Sequence, residues 1–211
     1  MLIIGAKGFA KEVLEILHQN GETEHLCFYD DVNSDTPEKL YGKFSVLKNP
    51  QEALDYFEKI SSQFTIGIGN PQLRFALYNK FTEMGGRLSS AISKTAEIGS
   101  YGVQISEGCN ILGGVKISND VKIGLGTMIY YSSIITHDVT IGEFCEISPD
   151  VKLLGRSKVG DFAQIGAGAV IFPDVVIGNH AIIAAGSVVR KSVPANVMVA
   201  GIPAVIKKEL L

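Results

Sequence analysis

Aliphatic residues recur at every sixth position through the second half of the chain. Stepping by six from Ile105, fifteen positions in succession, the last of them Val189, carry Ile, Leu or Val. The residue two before each anchor is small or β-branched almost throughout, as at Cys109, Thr127, Ser133, Cys145, Ala163 and Ala181. Positions two apart share one face of a strand. Each hexad therefore reads as a short strand with one large and one small inward residue, followed by a turn. An ordinary strand pattern loses phase at loops of uneven length, and this one does not. Gly124, Gly142, Gly160, Gly166 and Gly178 directly follow anchors, which predicts corners that exploit glycine's tolerance of unusual φ. Ile92 and Ile98 are also six apart, but the next step reaches Gln104, one short of Ile105. The register is expected to slip by one residue near Gly102.

The first half follows a different rhythm. Leu2-Ile3-Ile4 is a short apolar run, then Gly5-Ala6-Lys7-Gly8, then Val13, Leu14, Ile16 and Leu17 on a helical stripe. This predicts strand, glycine turn, helix. Leu26–Tyr29 reads as a second strand ending at Asp30-Asp31, residues 50–60 as a helix after Pro50, and Phe64–Ile68 as a third strand. Pro71 suits a helix N1 position and Gly85-Gly86 its end. Such alternation predicts a small parallel sheet, an α/β, Rossmann-like domain over residues 1–86, with the repeat filling 87–211.

Composition narrows the function. Nineteen Lys+Arg against 22 Asp+Glu give a net charge of −3, too balanced for a protein that binds nucleic acid by neutralising phosphates. No apolar run approaches the ~18–20 residues of a membrane span. The N-terminus lacks a basic segment and meets glycine at position 5, unlike a signal peptide. Cys27, Cys109 and Cys145 form no CxxC pair, so no metal site is expected and a reduced, cytoplasmic setting fits.

Gly5-x-x-Gly8 at a strand-to-helix turn can aim backbone N–H groups at a phosphate, although the third glycine of the dinucleotide fingerprint is missing. Asp30, at the end of the second strand, occupies a position that often meets a ribose hydroxyl. Gly8, Asp30 and Gly69 all fall at carboxyl ends of strands, where ligands of open α/β sheets sit.

The six-residue period resembles the hexapeptide-repeat left-handed parallel β-helix, in which three hexads make one triangular coil; fifteen anchors then give five coils, roughly 24 Å tall at ~4.8 Å each. With the glycine loop, Ile66-Gly67-Ile68-Gly69-Asn70, Thr136-His137-Asp138-Val139-Thr140-Ile141-Gly142 and the ending Val199-Ala200-Gly201-Ile202-Pro203-Ala204, the whole chain resembles the PglD/NeuD-like bacterial sugar N- and O-acetyltransferases. The resemblance implies acetyl-CoA-dependent transfer to a nucleotide-linked amino sugar, a 4-amino-4,6-dideoxyhexose of surface glycan synthesis, without an acyl-enzyme. His137 is the implied general base and Asp138 its acidic partner; a neutral imidazole can take the proton an attacking amine must lose. The sugar nucleotide is expected at Lys7, Gly8, Phe9, Asp30, Asp31 and Gly69, with Tyr130 shaping the sugar pocket. Acetyl-CoA is expected at Glu146, Gly155, Ala167 and Ala185. Glu146 stands where many relatives carry a second His, and Asp150 where glycine is usual. Lys7 also replaces the small residue many relatives have. A homotrimer with sites between subunits is implied as well. Two alternatives stay open: O-acetylation of a sialic acid or similar sugar, and a non-catalytic sugar-nucleotide-binding scaffold.

Overall fold

A computed structural model describes residues 1–210, which divide into two compact units, Met1–Lys94 and the residues from Thr95 onward.

The first unit holds β1 (Leu2–Ile4), α1 (Gly8–Asn20), β2 (Cys27–Tyr29), β3 (Lys39–Leu40), β4 (Phe44–Leu47), α2 (Pro50–Lys59), β5 (Gln63–Ile66), α3 (Pro71–Glu83) and β6 (Arg87–Leu88). The sheet order is β3-β4-β2-β1-β5-β6. β1 pairs in parallel with both β2 and β5, and β6 in parallel with β5, which carries the unit past residue 86. The hairpin of β3 and β4 is an addition to the expected strands, and β4 extends the parallel sheet beside β2. The helices start where the sequence chemistry places them. Asn49 caps α2 by accepting from Glu52 N at 3.1 Å, and Asn70 caps α3 by accepting from Leu73 N at 2.9 Å, each followed by proline. The α1 stripe of Phe9, Ala10, Val13, Leu14, Ile16 and Leu17 is buried. Phe28, Phe57, Phe64 and Phe81 complete the core.

The second unit is the left-handed parallel β-helix. Each two-residue strand pairs in parallel with the strand 18 residues on, so Ile111, Ile129, Ile147, Ile165 and Ile183 stack in one sheet and Ile117, Ile135, Leu153, Ile171 and Val189 in the next. A third sheet stacks Ile105, Ile123, Ile141, Val159 and Ile177. Anchors from Ile111 to Val189 are nearly fully buried. Since burying such a side chain is worth ~1.5–3 kcal/mol, the three stacks dominate the hydrophobic stabilisation of this unit. Thr127 and Ser133 in the small inward column stay satisfied by donating to Gly142 O and Ser148 O, 2.8 and 2.9 Å away in the coil above. The expected slip is present: Ile98 pairs with Ile117, a step of 19, and Gly102 in that turn has φ 68°.

The corners work differently from the sequence expectation. Left-handed backbone falls three residues after the anchors, at Gly114, Asp120, Gly126, Ser132, Asp138, Phe144, Asp150, Arg156, Phe162, Gly168, Asp174 and His180. The glycines immediately after anchors have ordinary φ; a Cβ on Gly124 would stand 2.5 Å from the carbonyl carbon of Gly142 in the next coil. Coil-to-coil spacing, not φ, selects them.

Candidate active site

Two places in the molecule bring predicted residues together. The first is a cavity of about 320 Å³ at the carboxyl edge of the first unit's sheet. Gly5 closes the strand-to-helix turn at φ 103°, and a Cβ there would press on Ile68 at 2.8 Å. Gly67 lets α1 lie against β5, since its Cβ would meet Ala10 at 2.6 Å. Gly8 and Gly69 face open space. Lys7 occupies the N-cap of α1 with no side-chain cap, and the first turn carries no acidic residue. An anion at that end of α1 would meet the positive end of the helix dipole. Lys7, Gly8, Phe9, Asp30, Asp31 and Gly69 all line the cavity, and Leu73 and Leu77 of α3, which belong to no sequence motif, give it an apolar wall.

The two aspartates differ. Asp30 is 6% exposed and spends its carboxylate on its own loop. It accepts from Asn33 N at 3.0 Å, Val32 N at 3.3 Å, Asn33 Nδ2 at 3.0 Å and Thr36 Oγ1 at 3.1 Å. Burial alone would raise its pKa, but the donors from Asn33, Thr36 and Val32 outweigh it and hold the carboxyl below its ordinary value. This side chain shapes the loop rather than offering free acceptors to a ribose. Asp31 accepts from Tyr29 OH at 2.7 Å and Lys80 Nζ at 3.1 Å. Burial is again opposed, here by the Tyr29 and Lys80 contacts, and the pKa falls. Tyr29 is driven the other way, first by burial and then by Asp31. Behind the loop, Arg74 is 1% exposed and donates to Gly69 O, which fixes the Gly67–Asn70 segment.

The second place is one edge of the β-helix. His137 Nδ1 lies 2.7 Å from Asp138 Oδ2, with both side chains about half exposed. Asp138 adopts φ 60°, the left-handed corner that Asp tolerates. With Nδ1–H donating to the carboxylate, Nε2 keeps its lone pair for a proton. Gly155, one coil on, leaves room for the ring: a Cβ there would stand 2.7 Å from Cε1 and 2.8 Å from Nε2. Arg156 N donates to His137 O at 3.1 Å, and its guanidinium binds Asp174 through Nε and Nη2 at 2.7 and 2.8 Å. That bond first, then the charge of Asp174, raises the Arg156 pKa. A groove lined by Ile98, Lys116, Ile134 and Thr136 ends beside this edge.

The remaining predicted residues lie elsewhere on the coil. Tyr130, Glu146, Ala167 and Ala185 belong to the sheet of Ile129, Ile147, Ile165 and Ile183 and to the corner that follows it. His137 and Gly155 sit at the next corner, after the sheet of Ile135 and Leu153. Ala167 and Ala185 are exposed, one coil apart. One copy of the chain therefore does not gather His137 with Ala167 and Ala185. Cys145 is fully buried and its thiol donates to Gly160 O at 3.0 Å, a core position. Among the described residues no cluster of three His, Cys, Asp or Glu could hold a metal, and no helix is long and apolar enough to cross a membrane.

A cavity at the carboxyl edge of a small parallel sheet and a histidine–aspartate pair on a hexapeptide coil are the two features of a hexapeptide-repeat acyltransferase with an added α/β unit. Comparison with known proteins agrees. Residues 1–81 match the PglD N-terminal domain and residues 156–191 the bacterial transferase hexapeptide (six repeats). PerB from Caulobacter crescentus, solved with CoA and GDP-perosamine, is 33% identical over 98% of this chain and 96% of that one, with a TM-score of 0.90. WeeI from Acinetobacter baumannii is 31% identical over 98% of both chains, with a TM-score of 0.70. The acetyltransferase domain of PglB from Neisseria gonorrhoeae shares the fold at 23% identity and a TM-score of 0.87. The chain belongs to the PglD-like family of hexapeptide-repeat sugar acetyltransferases.

Proposed function

We propose that the protein transfers the acetyl group of acetyl-CoA to the amine of a nucleoside-diphosphate-linked 4-amino-4,6-dideoxyhexose. The reading is carried by the likeness, across nearly the full length of both chains, to an enzyme named perosamine N-acetyltransferase and solved with CoA and GDP-perosamine. The first unit's cavity takes the nucleotide: the N-terminus of α1 and Lys7 face the diphosphate, and Leu73 and Leu77 the base.

In the transfer, the neutral amine attacks the thioester carbonyl and a C–N bond forms. His137 Nε2 accepts the amine proton while Asp138 balances the imidazolium through Nδ1–H. Collapse of the tetrahedral species breaks the C–S bond, and the proton on His137 is available to the departing thiolate. Transfer is direct, without a cysteine acyl-enzyme: both thiols of the coil, Cys109 and Cys145, are buried. Ala167 and Ala185 offer an exposed strip of small residues for the pantetheine arm. That strip and His137 lie on different edges of the β-helix and on different coils, so a closed trimer that sets the strip of one copy beside the histidine of another completes the site.

The test is acetyl-CoA turnover, followed as released CoA thiol, on GDP-perosamine, UDP-linked 4-amino sugars and free sialic acid. Turnover on a nucleotide 4-amino sugar, lost in His137→Ala with the oligomer intact, is expected. Preference for sialic acid would convert the reading to O-acetylation, and nucleotide binding without any turnover would make the protein a scaffold.

A further inference from the structure

Lys7 and Asp35 form an ion pair at the mouth of the first unit's cavity. Lys7 Nζ donates to Asp35 Oδ1 at 2.7 Å and to Oδ2 at 3.0 Å. Lys7 belongs to the glycine loop on one wall, whereas Asp35 follows Val32 and Asn33 of another wall. The pair thus joins two loops that are 28 residues apart in sequence.

The two partners are unequally free. Asp35 is held in a loop tied on both sides: Asn33 and Thr36 bind the Asp30 carboxylate, Thr36 N donates to Asn33 O at 3.2 Å, and Lys48 Nζ donates to Thr36 O at 2.9 Å. Lys7 is attached only through a four-carbon stem, half exposed. Among the described residues it is also the one cation lining the cavity, beside Asp30 and Asp31. Those carboxylates are engaged, Asp30 by its loop and Asp31 by Tyr29 and Lys80. Asp35 is the acid that competes directly for Lys7.

We propose that Asp35 tempers diphosphate affinity at this cavity: it occupies Lys7 until a ligand brings phosphate oxygens to the α1 N-terminus, and that ligand must displace it to engage Lys7. This rests on the reading of the cavity as a nucleoside-diphosphate site. An exposed ion pair is a weak competitor, and a diphosphate set among the α1 N–H groups supplies more charge than one carboxylate. Lys7 therefore exchanges Asp35 for phosphate. A nucleoside or free sugar gains nothing from that exchange.

The experiment is calorimetric binding of GDP, UDP, guanosine and uridine to the full chain as wild type, Asp35→Asn, Lys7→Met and the double variant. Asp35→Asn is expected to tighten whichever diphosphate the wild type binds by about two- to fivefold. Nucleosides should be unaffected, and the gain should vanish when Lys7 is Met. Unchanged or weakened diphosphate binding in Asp35→Asn overturns the proposal, as does a gain that persists without Lys7. In those cases the nucleotide reading survives, because the wild type still binds. Binding of neither diphosphate by the wild type overturns both.

Discussion

The imidazole of His137 fills the space that a side chain on Gly155 would need, with Cε1 only 2.7 Å from the position of the missing Cβ. The ring is thereby positioned by a glycine one coil away as well as by Asp138. Gly155 is not among the residues with positive φ, so alanine fits the backbone there and the added methyl displaces only the ring. Gly155→Ala should lower kcat/KM about 10²-fold, the scale of a 1 Å misplacement of a reacting group. Melting temperature and oligomeric state should stay close to wild type. Loss of activity accompanied by unfolding would mean the glycine serves coil packing instead.

Asp138 orients the ring through its 2.7 Å contact. Asp138→Asn keeps the left-handed corner, which Asn tolerates, but replaces an anion with an amide. With Nδ1 no longer facing a carboxylate, the imidazolium loses its counter-charge and the wrong tautomer becomes accessible. A fall in kcat of about 10²–10⁴-fold is expected, largely without change in the KM for acetyl-CoA. Steady-state kinetics on both substrates decide it. A change confined to KM would assign Asp138 to binding.

The Asp30 carboxylate links stability to pH. Its folded pKa lies below the unfolded value near 3.9, so between the two the unfolded chain binds more protons. The stabilisation is complete above the unfolded pKa and is lost as pH falls through the folded one. Asp30→Asn leaves loop donors without their anion and should cost about 1–3 kcal/mol at pH 7, shrinking as pH drops below 4. Denaturant melts from pH 2.5 to 7 check this. A pH-independent difference would assign the loss to packing instead.

The repeat was legible because its period is a physical requirement. Each anchor from Ile111 to Val189 must enter the same triangular interior, and the 19-residue step from Ile98 to Ile117 marks where the sequence falls out of phase at the entry to the coil. The His137–Asp138 pair was legible as a motif. Other features depend on contacts distant in sequence. β4 is only four residues long, and its place in the parallel sheet is set by pairing of Val46 with Phe28 of β2, a contact distant in sequence. The spacing role of Gly124 and Gly142 shows only when the next coil is in place. Asp30 reads like a ribose ligand until Asn33 and Thr36 fold back onto it. Lys80, beside Asp31, comes from a helix turn 49 residues away.

Cys145 separates direct transfer from a covalent mechanism. Its thiol is sealed in the coil and bonded to Gly160 O. Cys145→Ala replaces one small inward residue with another, like Ala163 in the coil above. kcat should stay within about twofold, and intact-mass spectra of wild type with acetyl-CoA alone should show no added acetyl group. An acetylated intermediate that disappears in Cys145→Ala would contradict direct transfer.

The two kinds of glycine in the coil should respond oppositely to substitution. Gly142 has ordinary φ, yet a Cβ there would stand 2.7 Å from Asp161 N in the coil above. Gly168 has φ 69° but nothing within 4 Å of its Cβ position. Gly142→Ala must push two coils apart, an overpacking that costs typically ~1–3 kcal/mol. Gly168→Asn only asks asparagine for the left-handed backbone it already adopts at Asn196, where φ is 57°, at a cost below ~1 kcal/mol. Denaturant unfolding of both variants ranks them. If Gly168→Asn were the more damaging, backbone conformation and not coil spacing would govern these corners.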